Sequence, residues 1–175
     1  MQHQKGFSLV ELMVTIAILA IIISIAIPSF SNWVKNTRLS GAAEQIQSTF
    51  SYAKSESIKR NKGTCLLISN PNTDTWSLKI TSDCTDSTVL QEITSSDYNK
   101  TIRLTLDAAS KINKTRFDPR SQRPGFDNNN GTIKTTQSLY LGIDNYKLKI
   151  ELSPAGLITI CNSGTKNISG YAVCA

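Results

Sequence analysis

Histidine is almost missing from this chain: His3 is its only one. That scarcity excludes most hydrolytic machinery, because a Ser-His-Asp or Cys-His arrangement needs an imidazole to take the nucleophile's proton. No Cys-x-x-Cys spacing occurs among the cysteines, so no tetrahedral zinc set is expected either. A glycine-rich phosphate loop is absent, and no internal repeat is visible. The acids Asp83 and Asp86 fall in a turn-like stretch and read as solvated. The expectation is therefore a protein that is not an enzyme and carries no cofactor and no metal. Charge is also sparse, at 18% of residues, and one stretch lacks it almost entirely.

From Phe7 to Ile27 the only charged side chain is Glu11. Such a run is long enough to cross a bilayer core of roughly 30 Å as one helix. A carboxylate at the centre of a spanning helix costs about 2.5–3.5 kcal/mol on insertion scales, so Glu11 should have a cationic partner. The run itself contains no base, which places that partner in another chain. A secretory signal is cut after its apolar region, at small residues. Here the run is followed by Pro28-Ser29-Phe30, and the one motif-like junction, Gly6-Phe7, precedes it. Cleavage there would retain the helix. Lys5 in the short leader places the N-terminus in the cytoplasm and the remaining chain outside.

Lys5-Gly6-Phe7-Ser8-Leu9-Val10-Glu11-Leu12, the apolar stretch and Pro28 together resemble the N-terminus of type IV prepilins and type II secretion pseudopilins. The resemblance implies a leader over residues 1–6, a transmembrane and assembly helix over 7–28, and a periplasmic domain over 29–175. It also implies cleavage after Gly6 by a prepilin peptidase, methylation of the new amine on Phe7 by the same enzyme family, and neutralisation of a neighbour's N-terminal amine by Glu11. The implied location is the bacterial inner membrane, single-pass, and then the surface pilus.

The remaining chain is long enough for one domain with its own core. A net charge of +6 permits contact with anionic surfaces without requiring it. Four cysteines, Cys65, Cys84, Cys161 and Cys174, read as disulfides in a domain outside the cytoplasm. Three pairings are open. Proximity in sequence favours Cys65–Cys84 and Cys161–Cys174, each contributing about 3 kcal/mol.

The helical pattern continues past Pro28, which is expected to kink the helix rather than end it. Leu39, Ala43, Ile46, Phe50, Ala53 and Ser57 recur at three- and four-residue spacing, the stripe of a helix laid on a core. Asn61-Lys62-Gly63 is the expected stop, giving a helical spine over 29–60 and a β-rich part over 64–175. Strands are expected at 64–69, 76–81, 89–93, 102–106, 114–117, 138–141, 146–152 and 157–161, with 171–174 as a last edge segment. Turns are expected at 70–74, 127–131, 142–145 and 153–156. The fold class is α+β: a long N-terminal helix packed on antiparallel sheet, matching the type IV pilin-like fold that the resemblance implies.

Three further stretches resemble the GspH/FimT group of minor pilins and pseudopilins: Tyr52 to Asn61, Phe117-Asp-Pro-Arg120 with Gly125 and Asn130-Gly-Thr132, and Leu152 to Cys161. DNA-binding members of that group carry Gly-Arg-x-Arg in the last hairpin. Here the aligned residues are Gly156-Leu157-Ile158-Thr159, and neither arginine position can make charge-assisted phosphate contacts. A second basic stretch, Lys111, Lys114, Arg116, Arg120 and Arg123, is a candidate anion or DNA patch; the competing reading is a solvated loop flank paired with Asp118.

The resemblance thus implies a minor pilin that primes assembly of a type IV pilus and sits at or near its tip. Its partners would be other minor and major pilins, the prepilin peptidase and methyltransferase, and the inner-membrane assembly platform. The alternatives are a GspH-like secretion pseudopilin, a FimT-like DNA-uptake subunit, which Leu157 and Thr159 disfavour, and a plain anchored periplasmic domain.

Overall fold

The computed structural model describes residues 8–84, 88–98, 100–108, 110–121, 123–126 and 133–174. It divides into two compact units, Met1–Asn36 and Thr37–Ala175. Helix α1 runs from Leu9 to Arg60 and stays helical through Pro28. Among the described residues of the first unit this helix is the one element, and the large aliphatic side chains from Leu9 to Ile27 are all more than half exposed.

In the second unit α1 is the spine of a core. Leu39, Ala42, Ala43, Ile46, Phe50 and Ala53 are buried along one face, with Thr49, Glu56 and Ser57 beside them. The helix closes with Asn61 at φ 52°. Lys62 N–H donates to Ser57 O (3.2 Å) and Asn61 N–H to Ile58 O (3.1 Å). This is the paired closure of a Schellman motif, with asparagine tolerating the left-handed conformation. Thr64 Oγ1 then donates to Ala53 O at 2.7 Å, tying the first strand back to the helix.

Two antiparallel sheets complete the unit. The first has the order β3-β2-β1-β5-β6, with β1 Thr64–Ser69, β2 Ser77–Thr81, β3 Val89–Thr94, β5 Lys114–Phe117 and β6 Pro124–Phe126. The second has the order β4-β7-β8-β9, with β4 Arg103–Leu106, β7 Gln137–Ile143, β8 Tyr146–Leu152 and β9 Ile158–Asn162. In β8 the alternation is strict: Tyr146, Leu148, Ile150 and Leu152 are buried, while Lys147, Lys149 and Glu151 lie outward. In the central strand β1 Thr64, Leu66 and Ile68 are buried on one face, while on the other Cys65 is buried, Leu67 half-buried and Ser69 exposed. Phe50 of α1 meets Phe117 of β5 edge-on at 6.4 Å between ring centroids, an arrangement that suits the aromatic quadrupole.

Some expectations shift in detail. Trp76 precedes β2 rather than starting it; its ring is fully buried, donates Nε1–H to Ile102 O (2.8 Å) and stacks on Tyr98. The turn after β7 narrows to Asp144-Asn145, with Asp144 at φ 52°, because Gly142 and Ile143 still pair with β8. The 171–174 segment is not a strand: its backbone pairs with β9 only at an isolated parallel bridge, Asn162 to Val173. A 3-10 turn at Ser95–Tyr98 and the short β6 had no expectation at all. The expected turn at 127–131 lies outside the described residues.

Candidate functional site

The first candidate is the N-terminal helical segment. Gly6 and Phe7 lie outside the described residues. Ser8 O accepts the N–H of Leu12 (3.2 Å), and Glu11 falls in the first turn of α1, exposed. An acid there complements the positive end of the helix dipole. The segment carries an 18-residue window of mean hydropathy 2.8, none of it buried. Its hydroxyls are satisfied within the helix: Thr15 Oγ1 donates to Leu12 O (2.8 Å) and Ser24 Oγ to Ile21 O (2.7 Å). Such local pairing is what a polar group needs in an environment without water. The surface is therefore an apolar cylinder with one carboxylate near its start.

The second candidate is the basic stretch. Arg116 and Arg120 line an open cleft of about 610 Å³ together with Arg60, Lys62, Gly63, Asp83 and Asp118. Lys111, Lys114 and Arg123 do not line it. Lys111 instead sits where its backbone N–H reaches Gln137 Oε1 (2.7 Å), and Lys114 is half-buried on β5. Asp118 Oδ1 accepts the backbone N–H groups of Arg120 (2.8 Å) and Ser121 (3.0 Å). The Ser121 N–H first, then that of Arg120, with the charges of Arg116 and Arg120, hold its carboxyl below the ordinary aspartate value. Arg116 lies against Gly63 so closely that a Cβ on residue 63 would sit 2.6 Å from Nε. The missing side chain lets the guanidinium cross the carboxyl end of α1, where a cation is favoured. The sequence reading missed Arg60 and Lys62 as members of this cluster, because they come from the helix end rather than from the loop. It also missed Glu56, nearly buried and bonded to Arg60 Nε. Their i, i+4 spacing was the available signal.

The third candidate is the C-terminal hairpin. Ser153 Oγ accepts Leu157 N–H (3.0 Å), Gly156 N–H bonds to Ser153 O (2.9 Å), and Gly156 takes φ 80°, a conformation that only glycine adopts easily. Leu157 is 68% exposed and Thr159 is exposed, so both aligned arginine positions face solvent without charge. Within β9, Cys161 is disulfide-bonded to Cys174; Cys65 of β1 is likewise bonded to Cys84, each pair with Cα atoms 5.0 Å apart. Asn162 holds the same C-terminal segment: its Nδ2 donates to Ile168 O (3.0 Å) and Tyr171 O (2.6 Å), and its Oδ1 accepts Ile168 N–H (2.9 Å). Tyr171 Oη reaches Glu44 Oε1 on α1 at 3.0 Å. Burial, and then this bond, push the Tyr171 hydroxyl above the ordinary tyrosine value.

Two families of known proteins match this chain in successive stretches. Residues 1–27 match the model of the prokaryotic N-terminal methylation motif, and residues 42–156 match that of the type II transport protein GspH. A fimbrial protein of Pseudomonas aeruginosa is 36% identical over 55 residues, 31% of this chain and 36% of its own length. The fimbrial protein EcpC of Eikenella corrodens is 46% identical over 41 residues, 23% of this chain and 27% of its own. The chain thus spans only about a third of the length of these curated relatives. The crystal structure of the type IV minor pilin FimU of Pseudomonas aeruginosa aligns at a TM-score of 0.50 and 16% identity, over 69% of this chain and 90% of its own, a likeness of fold. Since the GspH model covers more than half of the chain, the protein belongs to the family of the type II transport protein GspH, and its long helix on antiparallel sheets is the type IV pilin fold.

Proposed function

We propose that the protein is a minor pilin that primes assembly of a type IV pilus and sits at or near its tip. The observation that carries this reading is the exposed apolar segment of α1 with its single acid in the first turn. An apolar cylinder of that kind is stable in lipid or against other such helices, and moving it from one to the other couples membrane exit to fibre growth. In this reading a prepilin peptidase cuts after Gly6, the amine of Phe7 is methylated, and an inner-membrane platform extracts the helix. Glu11 then neutralises the N-terminal amine of an adjacent minor or major pilin, and the second unit supplies the subunit-specific contacts. The protein is a structural subunit, not an enzyme.

Glu11→Ala should leave the protein in the membrane fraction while depleting it from sheared fibres. Normal incorporation would remove this role for Glu11. Deleting the gene should reduce surface pili. The name of the matched family favours a second reading, a type II secretion pseudopilin; unchanged piliation with lost secretion would select it. DNA uptake is disfavoured by the uncharged Leu157 and Thr159. A gel-shift should show no salt-sensitive DNA binding, and neutralising Arg116 and Arg120 should change nothing.

A further inference from the structure

Phe30 and Trp33 are large aromatics left 64% and 61% exposed on α1, with ring centroids 5.7 Å apart. Their i, i+3 spacing puts them on one face of the helix. They lie just past the aliphatic run, among the exposed polar residues Ser29, Ser31 and Asn32, and Lys35 is the first charged side chain after Glu11. Aromatics interleaved with polar residues, then a lysine, is the composition favoured at the level of lipid headgroups, where an amphipathic ring can be half wet. From Glu11 to Trp33 the helix rises about 33 Å at 1.5 Å per residue. An average tilt of about 20° shortens this to about 31 Å across the bilayer, against a hydrocarbon core of roughly 30 Å.

We propose that Phe30 and Trp33 form an interfacial anchor for phospholipid headgroups that sets the depth of the helix and holds Glu11 at the opposite headgroup boundary. This rests on the membrane-anchored reading above. It alters what Glu11 does before assembly. At the boundary the carboxylate stays hydrated, so the penalty of a mid-bilayer acid does not apply while the subunit waits. Glu11 loses water only when the helix leaves its resting depth, and only then does a neighbour's amine become necessary. A fibre contact is the other occupant of this aromatic face, and the test separates the two.

The full chain is reconstituted into phosphatidylcholine vesicles brominated at defined acyl depths, and tryptophan quenching is read after flotation. Trp76, the other tryptophan, is fully buried and reports little. Shallow bromines should quench at least twofold more than bromines near the chain ends, and Trp33→Phe should abolish the quenching. A second readout places a reporter near Glu11: Val10→Trp with Trp33→Phe should again be quenched most by shallow bromines. Adding Phe30→Ser and replacing Trp33→Phe by Trp33→Ser should shift that quenching toward deeper labels. A chain that floats but shows no depth preference at Trp33, or a Val10→Trp profile unmoved by the serine substitutions, overturns the anchor while leaving the membrane reading intact. A chain that does not float overturns the membrane reading itself.

Discussion

Removing the Cys161–Cys174 disulfide tests how the C-terminal segment is held. The bond closes a sequence separation of 13 residues. Loop-closure entropy for that size gives about 3 kcal/mol of stabilisation, all exerted on the unfolded chain. Independently, Asn162 makes three side-chain hydrogen bonds to the segment, and Cys174 N–H and Ala172 O pair with its backbone. At about 0.5–1.5 kcal/mol net per bond, the side chain alone matches the disulfide. The double variant Cys161→Ala, Cys174→Ala should therefore lose about 3 kcal/mol in urea unfolding of the full chain in mild detergent. Its folded state should nevertheless keep the segment docked, and hydrogen exchange at the amides of Ile168 and of the alanine at position 174 should stay protected below the unfolding transition. Asn162→Ala, by contrast, should open exchange at the Ile168 amide with the disulfide intact, because it strands that amide and the carbonyls of Ile168 and Tyr171. A loss under about 1 kcal/mol for the double variant would refute the entropic estimate. Free exchange at Ile168 in that variant would refute the role given to Asn162.

Three further outcomes follow from the same geometry. Glu56 is held below the ordinary glutamate value first by the hydrogen bond from Arg60, with the charges of Lys59 and Arg60 adding to it. The stability this contributes is present above the unfolded value and lost as pH falls through the depressed folded one, so Glu56→Gln should flatten the acid limb of stability against pH. Phe50→Ala should cost about 3–5 kcal/mol in denaturant unfolding, and a cycle with Phe117→Ala should show coupling of about 0.5–1.5 kcal/mol from the edge-on pair. Gly63→Ala should displace Arg116 from the helix end at about 0.3–1 kcal/mol, and should cost nothing more in an Arg116→Ala background.

Much of this architecture was readable because it rests on local rules. The helical stripe from Leu39 to Ser57 is a repeat of three and four residues, and all six of its members are buried. The strand span of β1 follows from a bounded apolar run, and that of β8 from strict apolar–polar alternation. What escaped was set by distant partners. The division into two sheets depends on Thr64–Leu67 pairing with residues 114–117, a choice that no local pattern encodes. Asn162, a polar residue at a strand end, becomes the hub of the C-terminus only once residues 168–174 fold back on it. The basic stretch read as one patch, yet β5 separates its members: Arg116 and Arg120 turn to the end of α1, and the helix contributes Arg60 and Lys62 to the same cleft. The turns favoured asparagine, aspartate and lysine over glycine, with Asn61, Asn70, Asn72, Lys100 and Asp144 all at positive φ. The lysine has no side-chain chemistry that announces such a turn.

The central claim is that the apolar helix is retained, exposed at its amine and used for assembly. The intact mass of the protein isolated from membranes tests it most directly. The account predicts a chain that begins at Phe7, lacks residues 1–6, carries one added methyl group and has four cysteines oxidised as two disulfides. A mass that retains Met1, or one that shows cleavage after the apolar run, would contradict it.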